Sequence, residues 1–525
     1  MNPMKFIAEL PEEEISPTVR KLMDFIQQQS EELQALRDEV SRLKGQKTKP
    51  KIKPSNLDKK TKQSMGKRKS SPKRQKRSKT KKLTIHKKKE LHPSDLPEGS
   101  TFIDYKDYVV QDLIFANHNI MYRRGRWKTP SDVYITADLP ENVTGHFGSD
   151  LQAYVLYQHY SGHVTQPLIL EQLREIGVDI SKGKINDILI HGKSKFHSEK
   201  DQILSTGLSL SGHINVDDTG ARHDGKNGYC THIGNEYFAW FKSTQSKSRI
   251  NFLQLLKTGN DDYVINEDGL EYMRTQKLPA FQIEKLHKYS GTQFETEKQW
   301  VRLLKSLGIK SKRHIRIATE GGLVGSLIYH GYNKNMAIVS DDAGQFNIFL
   351  HGLCWVHAER TIHKLIGFTQ KHTELQEKIR SDIWELYRAL KEYQICPTQP
   401  QKKILEAQFD ELFTRKTEWV SLNEALQRVH NNKSELLLVL SRPDIPLHNN
   451  LSENDIREYV KRRKISGSTR SDDGKLCRDS FTSLKKTCRK LGVSFWEYLK
   501  DRIHRRNKIP PLWELMALQM SNAHV

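Results

Sequence analysis

Three acidic residues stand far apart along the chain, each within a pattern that predicts a regular element: Asp217, Asp341 and Glu453. Carboxylate oxygens are ligands that Mg²⁺ prefers. Two such ions about 3.5 to 4 Å apart can activate a water or a sugar 3′-hydroxyl and stabilise the leaving oxygen of an in-line phosphoryl displacement. If folding gathers the three carboxylates, the predicted chemistry is metal-dependent phosphoryl transfer, with Mg²⁺ as cofactor and Mn²⁺ as a substitute.

The first acid follows an alternating run. Residues 213–217 (HINVD) place apolar and polar side chains on opposite sides, which predicts a half-buried strand that ends at Asp217. Residues 229–233 then turn at Gly234 and Asn235 into a third run, so a three-strand meander is predicted. A strand-end Asp is more often a turn residue, and the weight of Asp217 depends on the other two acids.

The second acid ends a nearly continuous apolar run. Residues 336–341 (MAIVSD) have the pattern of a strand buried on both faces. Because ligands gather at strand carboxyl ends in open α/β sheets, Asp341 is expected to meet Asp217. The adjacent acids, Asp218 and Asp342, face away in strand geometry and are expected to have supporting or turn roles.

The third acid lies on a predicted helix after two prolines. Asn450 or Ser452 is predicted to cap this helix, and Glu453 stands three positions before an isoleucine and seven before a valine. Glu453 is therefore expected on the core-facing side, whereas Asp455 and Glu458 are expected to point elsewhere. A core-facing carboxylate needs a partner, for which a metal is a natural choice. Asn450 is expected to orient Glu453 or to contact substrate.

The elements before the meander predict a DNA-binding region. Short apolar and aromatic runs in residues 101–138 predict a small sheet. Residues 150–160, 167–176 and 181–190 have helical spacing, with a break at Gly177 and a cap at Ser181. Such a pattern is typical of a helix-turn-helix that lays its last helix in the major groove, although any three-helix packing unit gives it too.

The N-terminal segments predict self-association and phosphate binding. Apolar residues at alternating steps of four and three before residue 44 predict a short coiled coil, or alternatively one amphipathic helix. Residues 45–92 contain 20 Lys and Arg but two acids, which accounts for most of the formal charge of +23. With few apolar residues, this stretch is predicted to be a disordered arm that neutralises nucleic-acid phosphates, the alternatives being a solvated linker or a nuclear address.

The remaining features bound the fold and the compartment. Residues 371–441 have helical periodicity throughout, which predicts an all-helical insertion before Glu453. The five cysteines form no CxxC pair, and no apolar run reaches the ~18 residues of a membrane helix, so a soluble cytoplasmic, nucleoid-associated protein is expected. The predicted class is α/β, with these segments: coiled coil 1–44, basic arm 45–92, small sheet and helix-turn-helix 93–200, catalytic core 201–356 and 446–525, and helical insertion 357–445.

Five motifs in one order carry a resemblance to a known family. They are VDDTG (216–220), VSDDAGQF (339–346), CWVHAER (354–360), NNLSENDIR (449–457) and RRKISGS (462–468). Over roughly residues 100–505 the chain resembles the DDE transposases of bacterial insertion sequences, in particular the insertion sequence 66 family. The resemblance implies a ribonuclease-H-like core with Asp217, Asp341 and Glu453 as catalytic metal ligands.

The resemblance also implies partners. It predicts a homodimer or larger assembly on double-stranded DNA, namely the terminal inverted repeats of an element and its target.

Relatives commonly carry a Cys-rich zinc finger after the zipper, whereas here the basic arm occupies that place without a cysteine. Cys354 and His357 form a CxxH motif, for which a packing or DNA-positioning role is favoured over metal binding because two ligands do not make a zinc site.

Basic residues near the third acid are candidate phosphate contacts, although a solvated helix face would look the same. They are Arg360, Arg457, Lys461, Arg462, Arg463 and Arg470. Three functions compete on these observations: a transposase that nicks DNA and joins the freed 3′ end to a target, a non-catalytic DNA-binding protein derived from one, and a ribonuclease-H-like nuclease.

Overall fold

The computed structural model describes residues 85–523, apart from residues 94, 96, 97, 99, 107, 141, 142, 144 and 368. The predicted coiled coil (1–44) and nearly all of the predicted basic arm (45–92) lie outside the described residues. The chain divides into two compact units between Val109 and Val110. The described residues of the first unit, from Ile85 onward, include no helix or strand, and all elements below belong to the second unit.

The second unit alternates short strands with many helices. In chain order the elements are β1 (Arg126–Lys128), β2 (Tyr134–Thr136), α1 (Ser149–Tyr160), α2 (Gln166–Glu175), α3 (Lys182–Ile190), α4 (Ser194–Leu210), β3 (His213–His223), β4 (Lys226–Gly234), β5 (Ala239–Thr244), α5 (Arg249–Leu256), β6 (Tyr263–Val264), α6 (Glu267–Thr275), α7 (Ala280–His287), β7 (Gln293–Phe294), α8 (Glu297–Ser306), α9 (Lys312–Tyr329), β8 (Ala337–Ser340), β9 (Leu350–Leu353), α10 (Trp355–His363), α11 (Gln370–Ile395), α12 (Gln399–Phe413), α13 (Val420–Asn431), α14 (Lys433–Leu436), a 3₁₀ turn (Leu438–Leu440), α15 (Asn450–Ser466), α16 (Asp472–Lys490), α17 (Phe495–Ile503) and α18 (Leu512–Ala523).

The central sheet has five strands in the order β5-β4-β3-β8-β9. β3, β4 and β5 form an antiparallel meander, and β8 and β9 run parallel to β3. The predicted meander is confirmed, as is the predicted buried strand, since all four residues of β8 are buried. The protein is thus a mixed α/β protein, as predicted.

The first strand extends past its acid, so the prediction that it ends at Asp217 is wrong. β3 continues to His223, which pairs with Lys226 of β4. Between them, Asp224 and Gly225 adopt positive φ values of 48° and 73°. Two consecutive left-handed residues make the tight turn whose twist matches that of a hairpin, and Asp-Gly is a favoured sequence for it.

Side chains of α16 cover the outer edge of β5. Three N–H groups at alternate residues donate to side chains one helical turn apart: Ala239 to Thr487 Oγ1 (3.2 Å), Phe241 to Ser483 Oγ (2.9 Å) and Ser243 to Asp479 Oδ2 (2.7 Å). Four helical residues rise about 6 Å and two strand residues about 6.6 Å, so the two repeats match along the edge.

The predicted N-terminal helices are present within one or two residues of their predicted bounds. Ser181 caps α3 as predicted, because its Oγ accepts from the Lys184 N–H at 3.1 Å. Apolar residues of these helices, such as Val155 and Ile185, lie in the same core as Val216 of the sheet.

The small sheet predicted for residues 101–138 is largely absent from the described residues there. β1 and β2 form a three-residue hairpin whose residues are all exposed, and residues 102–115 contain no strand where they are described. All the described apolar side chains of residues 101–138 are exposed, and a sheet in water needs a buried face.

Two helical segments interrupt the sheet. Between β5 and β8 lie α5 to α9, and between β9 and α15 lie α10 to α14 with the 3₁₀ turn. The second segment has its own core, which includes Leu390, Phe409, Leu422 and Val439. The helical prediction for residues 371–441 therefore agrees with the structure. No helix within the described part of the chain is long and apolar enough to cross a membrane.

Candidate active site

The first two acids stand on neighbouring parallel strands. Asn215 of β3 pairs with Val339 of β8, and two residues further along each chain are Asp217 and Asp341. Parallel strands are about 4.8 Å apart, so this register places the two acids side by side. The charge of Asp341 is one of the influences that raise the pKa of Asp217. The structure therefore brings these two acids together.

The helix α15 covers the face of the sheet on which Asp217 lies. Asp217 pairs across strands with His232, and directly paired residues share one face. His232 Nδ1 lies 2.8 Å from Ser452 Oγ, and His232 Nε2 lies 3.2 Å from Asp455 Oδ2. These two α15 residues flank Glu453, so the third acid approaches the same side of the sheet as Asp217.

Glu453 is mostly buried and faces three basic groups. Its side chain is 18% exposed, with Arg360 Nη1 at 3.6 Å and His357 Nε2 at 3.8 Å from Oε1. Arg457 Nη2 lies 3.7 Å from Oε2. Within the described residues, Oε1 is buried without a hydrogen-bond partner. A buried carboxylate oxygen in this state is free to accept a further ligand.

The electrostatics of the site are those of crowded acids. Burial raises the pKa of Asp217 to about 7, and the negative charges of Asp341, Asp218 and Glu453 act in the same direction. A hydrogen bond from the Asp218 amide opposes this rise. Burial and the charge of Arg360 lower the pKa of His357. In the absence of a cation, Asp217 is therefore about half protonated near pH 7, and His357 is neutral there.

The donor chemistry of the site fits a divalent cation. Where the chain is described, no three His, Cys, Asp or Glu side chains lie close enough together to bind a metal ion as they stand. The donors are nevertheless hard oxygens that repel one another, and Glu453 Oε1 has no hydrogen-bond partner among the described residues. A cation among these oxygens would remove the repulsion that raises the pKa of Asp217.

The predicted cap of α15 is wrong. The helix begins at Asn450, follows Asn449 and has no side-chain cap. The Ser452 hydroxyl is bound to His232 instead, and the side chain of Asn450 is exposed. Contacts with the sheet, rather than a local cap, define this end of the helix.

Asp455 contacts His232 of the sheet, which corrects the prediction that it points elsewhere, whereas Glu458 points away from the sheet, as predicted. Asp455 binds Lys486 Nζ at 3.2 Å and Lys490 Nζ at 2.8 Å, in addition to His232. Glu458 binds Lys485 of α16, as well as His163 Nε2 at 2.8 Å. The sheet covers one side of α15 while α16 and the end of α1 cover another, so charged residues lie on a second buried face.

The acids next to the candidate ligands make different contacts. Asp218 accepts from Thr231 Oγ1 at 2.5 Å and from Gln345 Nε2 at 2.9 Å, which fixes the loop after β8. Burial raises the pKa of Asp218 and of Asp342. Asp342 and His357 also line a cavity of about 150 Å³ between α10 and α13.

The candidate phosphate contacts differ in accessibility. Arg462 is buried and donates to the carbonyl oxygen and ring of His159, so it is not available to DNA, contrary to prediction. Arg463 donates to Gly220 of β3. Arg457 is 67% exposed, and Arg360 is 42% exposed. Lys461 and Arg470 are also exposed.

Asn449 is a buried residue of the site that was not predicted from the sequence. Asn449 is 1% exposed. Its Nδ2 donates to the carbonyl of Val216 at 2.7 Å, and its Oδ1 accepts from Asn215 Nδ2 at 3.0 Å. The Asn-Asn pair before Glu453 was the available signal, but the spacing favoured Asn450, the exposed member of the pair.

The protein is a mixed α/β protein, and two acids lie side by side on its central sheet. An arginine-rich helix that carries a third acid covers them. A family model described as "Transposase IS66 family" matches residues 286–476. The chain is 41% identical over 318 residues to "Uncharacterized protein y4jO" of Sinorhizobium fredii (strain NBRC 101917 / NGR234), an alignment that covers 60% of this chain and 99% of that protein. The chain belongs to the insertion sequence 66 transposase family, which confirms the resemblance carried by its motifs.

Proposed function

We propose that the protein is a DNA transposase that cuts the ends of an insertion sequence and joins the freed 3′ ends to target DNA. Asp217, Asp341 and Glu453 are the proposed catalytic residues. The observation that carries the proposal is the facing of these acids: the β3–β8 register sets the first two side by side, and the helix bearing the third covers their face.

The strand order supports a ribonuclease-H-like catalytic core. Three antiparallel strands are followed in the chain by two strands parallel to the first of them. A helical segment then separates the last strand from the helix that carries the third acid. In this proposal residues 201–356 and 446–525 form the core and residues 357–445 the insertion. Residues 93–200 are the proposed DNA-binding region, with the helix-turn-helix at α2 and α3.

Each group of the site has a proposed role. The three carboxylates would hold Mg²⁺, or Mn²⁺ in its place, which supplies an activated attacking oxygen and stabilises the leaving oxygen. Arg457, the more exposed of the two arginines beside Glu453, is suited to contact the substrate phosphate, and Arg360 lies next to it in the site. His357, neutral near pH 7, accepts a hydrogen bond from Arg360 at Nε2, so its proposed role is to hold Arg360 beside Glu453.

Charge-neutral replacements of the second and third acids test the proposal. Asp341→Asn and Glu453→Gln should each reduce cleavage of a DNA fragment carrying the element ends on the order of 10³-fold, more than the 10- to 100-fold typical of residues that only orient ligands. Glu385→Gln is the matched control, because Glu385 lies exposed on α11 and, among the described residues, is paired only with Arg388, at 3.9 Å. DNA binding in EDTA and the circular dichroism spectrum should remain unchanged in all three.

Metal binding separates catalysis from other functions. Mn²⁺ should raise the melting temperature of the wild-type protein and of Glu385→Gln, but not that of Asp341→Asn or Glu453→Gln. Normal cleavage by either variant would leave the proposal without support and favour the non-catalytic DNA-binding protein. Cleavage without strand transfer by the wild-type protein would indicate a nuclease.

The basic arm supplies a third prediction, about DNA affinity. Removing residues 45–92, with their 20 Lys and Arg, should weaken DNA binding. It should also reduce the slope of log K against log salt concentration by about 0.9 for each phosphate that the arm neutralises, or by roughly 5 for about six such contacts. Filter binding between 50 and 200 mM salt measures this slope. An unchanged slope would show that the arm does not contact phosphates.

A further inference from the structure

Asn449 connects three parts of the site through its own polar atoms. Its side chain binds the carbonyl of Val216, the residue before Asp217, at 2.7 Å. Its carbonyl accepts from the amide of Glu453 at 3.2 Å, which is the first hydrogen bond of that helical turn. Its amide donates to the Sγ of Cys354 at 3.2 Å. One buried residue thus joins β3, α15 and the start of α10.

Cys354 extends the connection to the second acid. Its amide donates to the carbonyl of Ser340, the residue before Asp341, at 2.9 Å, and its carbonyl accepts from the amide of His357 at 3.0 Å. Each candidate ligand is therefore bonded, directly or at the preceding residue, to either Asn449 or Cys354. These two residues are in turn bonded to each other.

We infer that Asn449 and Cys354 are positioning residues that together set the distances between the three proposed catalytic acids. The inference rests on the proposed function and adds the pair that holds its site. Strand pairing fixes Asp217 relative to Asp341 without this pair, since β3 and β8 are hydrogen-bonded neighbours. Glu453 has no such ladder, because a helix has no backbone partners in a sheet. The distance from Glu453 to the two aspartates therefore depends on side-chain contacts between α15 and the sheet, and Asn449 supplies the contact with β3, next to Asp217.

The chemistry of the pair is suited to positioning. Asn449 offers a donor and an acceptor on its side chain and uses both, against Val216 and Asn215. The Cys354 thiol is buried and accepts a hydrogen bond from a backbone amide, and burial raises its pKa, so it stays a neutral thiol. Neither residue competes with the acids for a cation. The CxxH motif thus contributes its cysteine to positioning rather than to zinc binding.

Asn449→Ala tests the inference, with Asn235→Ala as the matched control. Asn235 is also nearly fully buried, and its side chain binds Ser211 Oγ at 2.9 Å and the amide of Tyr237 at 2.9 Å, in the turn between β4 and β5. Both variants lose buried hydrogen bonds of the same kind. We expect Asn449→Ala to weaken Mn²⁺ binding, measured by calorimetry without DNA, about 10- to 100-fold. Asn235→Ala should bind Mn²⁺ as the wild type does.

A cysteine pair serves if Asn449→Ala does not fold. Cys354→Ser keeps an acceptor for the Asn449 amide, whereas Cys354→Ala does not. Mn²⁺ affinity should be retained by the serine variant and reduced by the alanine variant, with DNA affinity in EDTA equal for both. Cleavage rates should follow the same order, with the loss in kcat rather than in the KM for DNA.

The outcomes separate this inference from the proposed function. Mn²⁺ affinity of Asn449→Ala within twofold of that of the wild type, while Asp217→Asn no longer binds Mn²⁺, would overturn the inference and leave the proposed function intact. Unchanged Mn²⁺ binding by Asp217→Asn would instead remove the proposed function itself.

Discussion

Asp217→Asn should abolish DNA cleavage and yet make the metal-free protein more stable above pH 7. Burial and the surrounding negative charges raise the pKa of Asp217 from 3.8 in a model compound to about 7 in the folded protein. The folded state therefore keeps a proton that the unfolded chain releases between about pH 4 and pH 7. Stability due to this group falls as pH rises through that window. The asparagine variant escapes the loss.

The expected gain at pH 8 is on the order of 2 to 4 kcal/mol, or about 2 to 5 °C in melting temperature, and it should vanish near pH 4. Thermal melts in EDTA across this pH range measure it. Asp341→Asn is the companion variant, because it removes a charge that raises the pKa of Asp217. In this variant the fall in stability with rising pH should therefore end at a lower pH than in the wild-type protein. A variant less stable than the wild type at pH 8 would show that Asp217 is not held near these acids. Saturating Mg²⁺ should stabilise the wild-type protein but neither Asp217→Asn nor Asp341→Asn.

Asp455→Ala, a change in the helix that carries Glu453, should cause a large loss of stability. Asp455 is 5% exposed and faces His232, Lys486 and Lys490. Burial acts to raise its pKa, but the hydrogen bond and charge of His232 and the charge of Lys490 hold it well below the usual range. Truncation removes the buried carboxylate that pairs with Lys486 and Lys490, and the loss of such a partner lowers the free energy of unfolding by about 3 to 5 kcal/mol.

The pH dependence of this loss has the opposite sign to that of Asp217. The folded pKa of Asp455 lies below the unfolded value of 3.8, so its contribution is present above about pH 4 and is lost as pH falls. Urea unfolding at pH 7 and at pH 3 should show the difference between variant and wild type shrinking in acid. Glu497→Ala is the control, because its pair with Lys500 at 2.9 Å is half exposed and is worth less than about 1 kcal/mol. A loss equal to that of the control at pH 7 would contradict the prediction.

Local patterns predicted the elements whose cause is local. The apolar run before Asp341 predicted β8, because a strand buried on both faces needs such a run. Ser181 predicted the start of α3 because a cap acts within one turn. The turn that ends β3, at Asp224 and Gly225, is also a local signal. The strand was nevertheless predicted to end at Asp217, because that acid follows the alternating run.

The charged interior of the site was beyond local patterns. Nothing near Asp455 in the sequence indicates that His232 and Lys490, both more than 30 residues away, will enclose it. The same holds for Asn449, whose partner Val216 lies 233 residues earlier. Periodicity alone assigns such residues to solvent, since burying a charge costs energy unless partners from elsewhere in the chain are present.

The side chains of α16 that cover β5 have a consequence for assembly. The hydroxyl and carboxyl groups of residues 479, 483 and 487 take up N–H groups that an unprotected outermost strand offers to other molecules. Copies of this protein therefore cannot join by continuing the sheet on that side, and any association between copies must use other surfaces. Ser483→Ala together with Thr487→Ala would remove the side-chain partners of two of these amides, and we expect the purified variant to aggregate more than the wild-type protein.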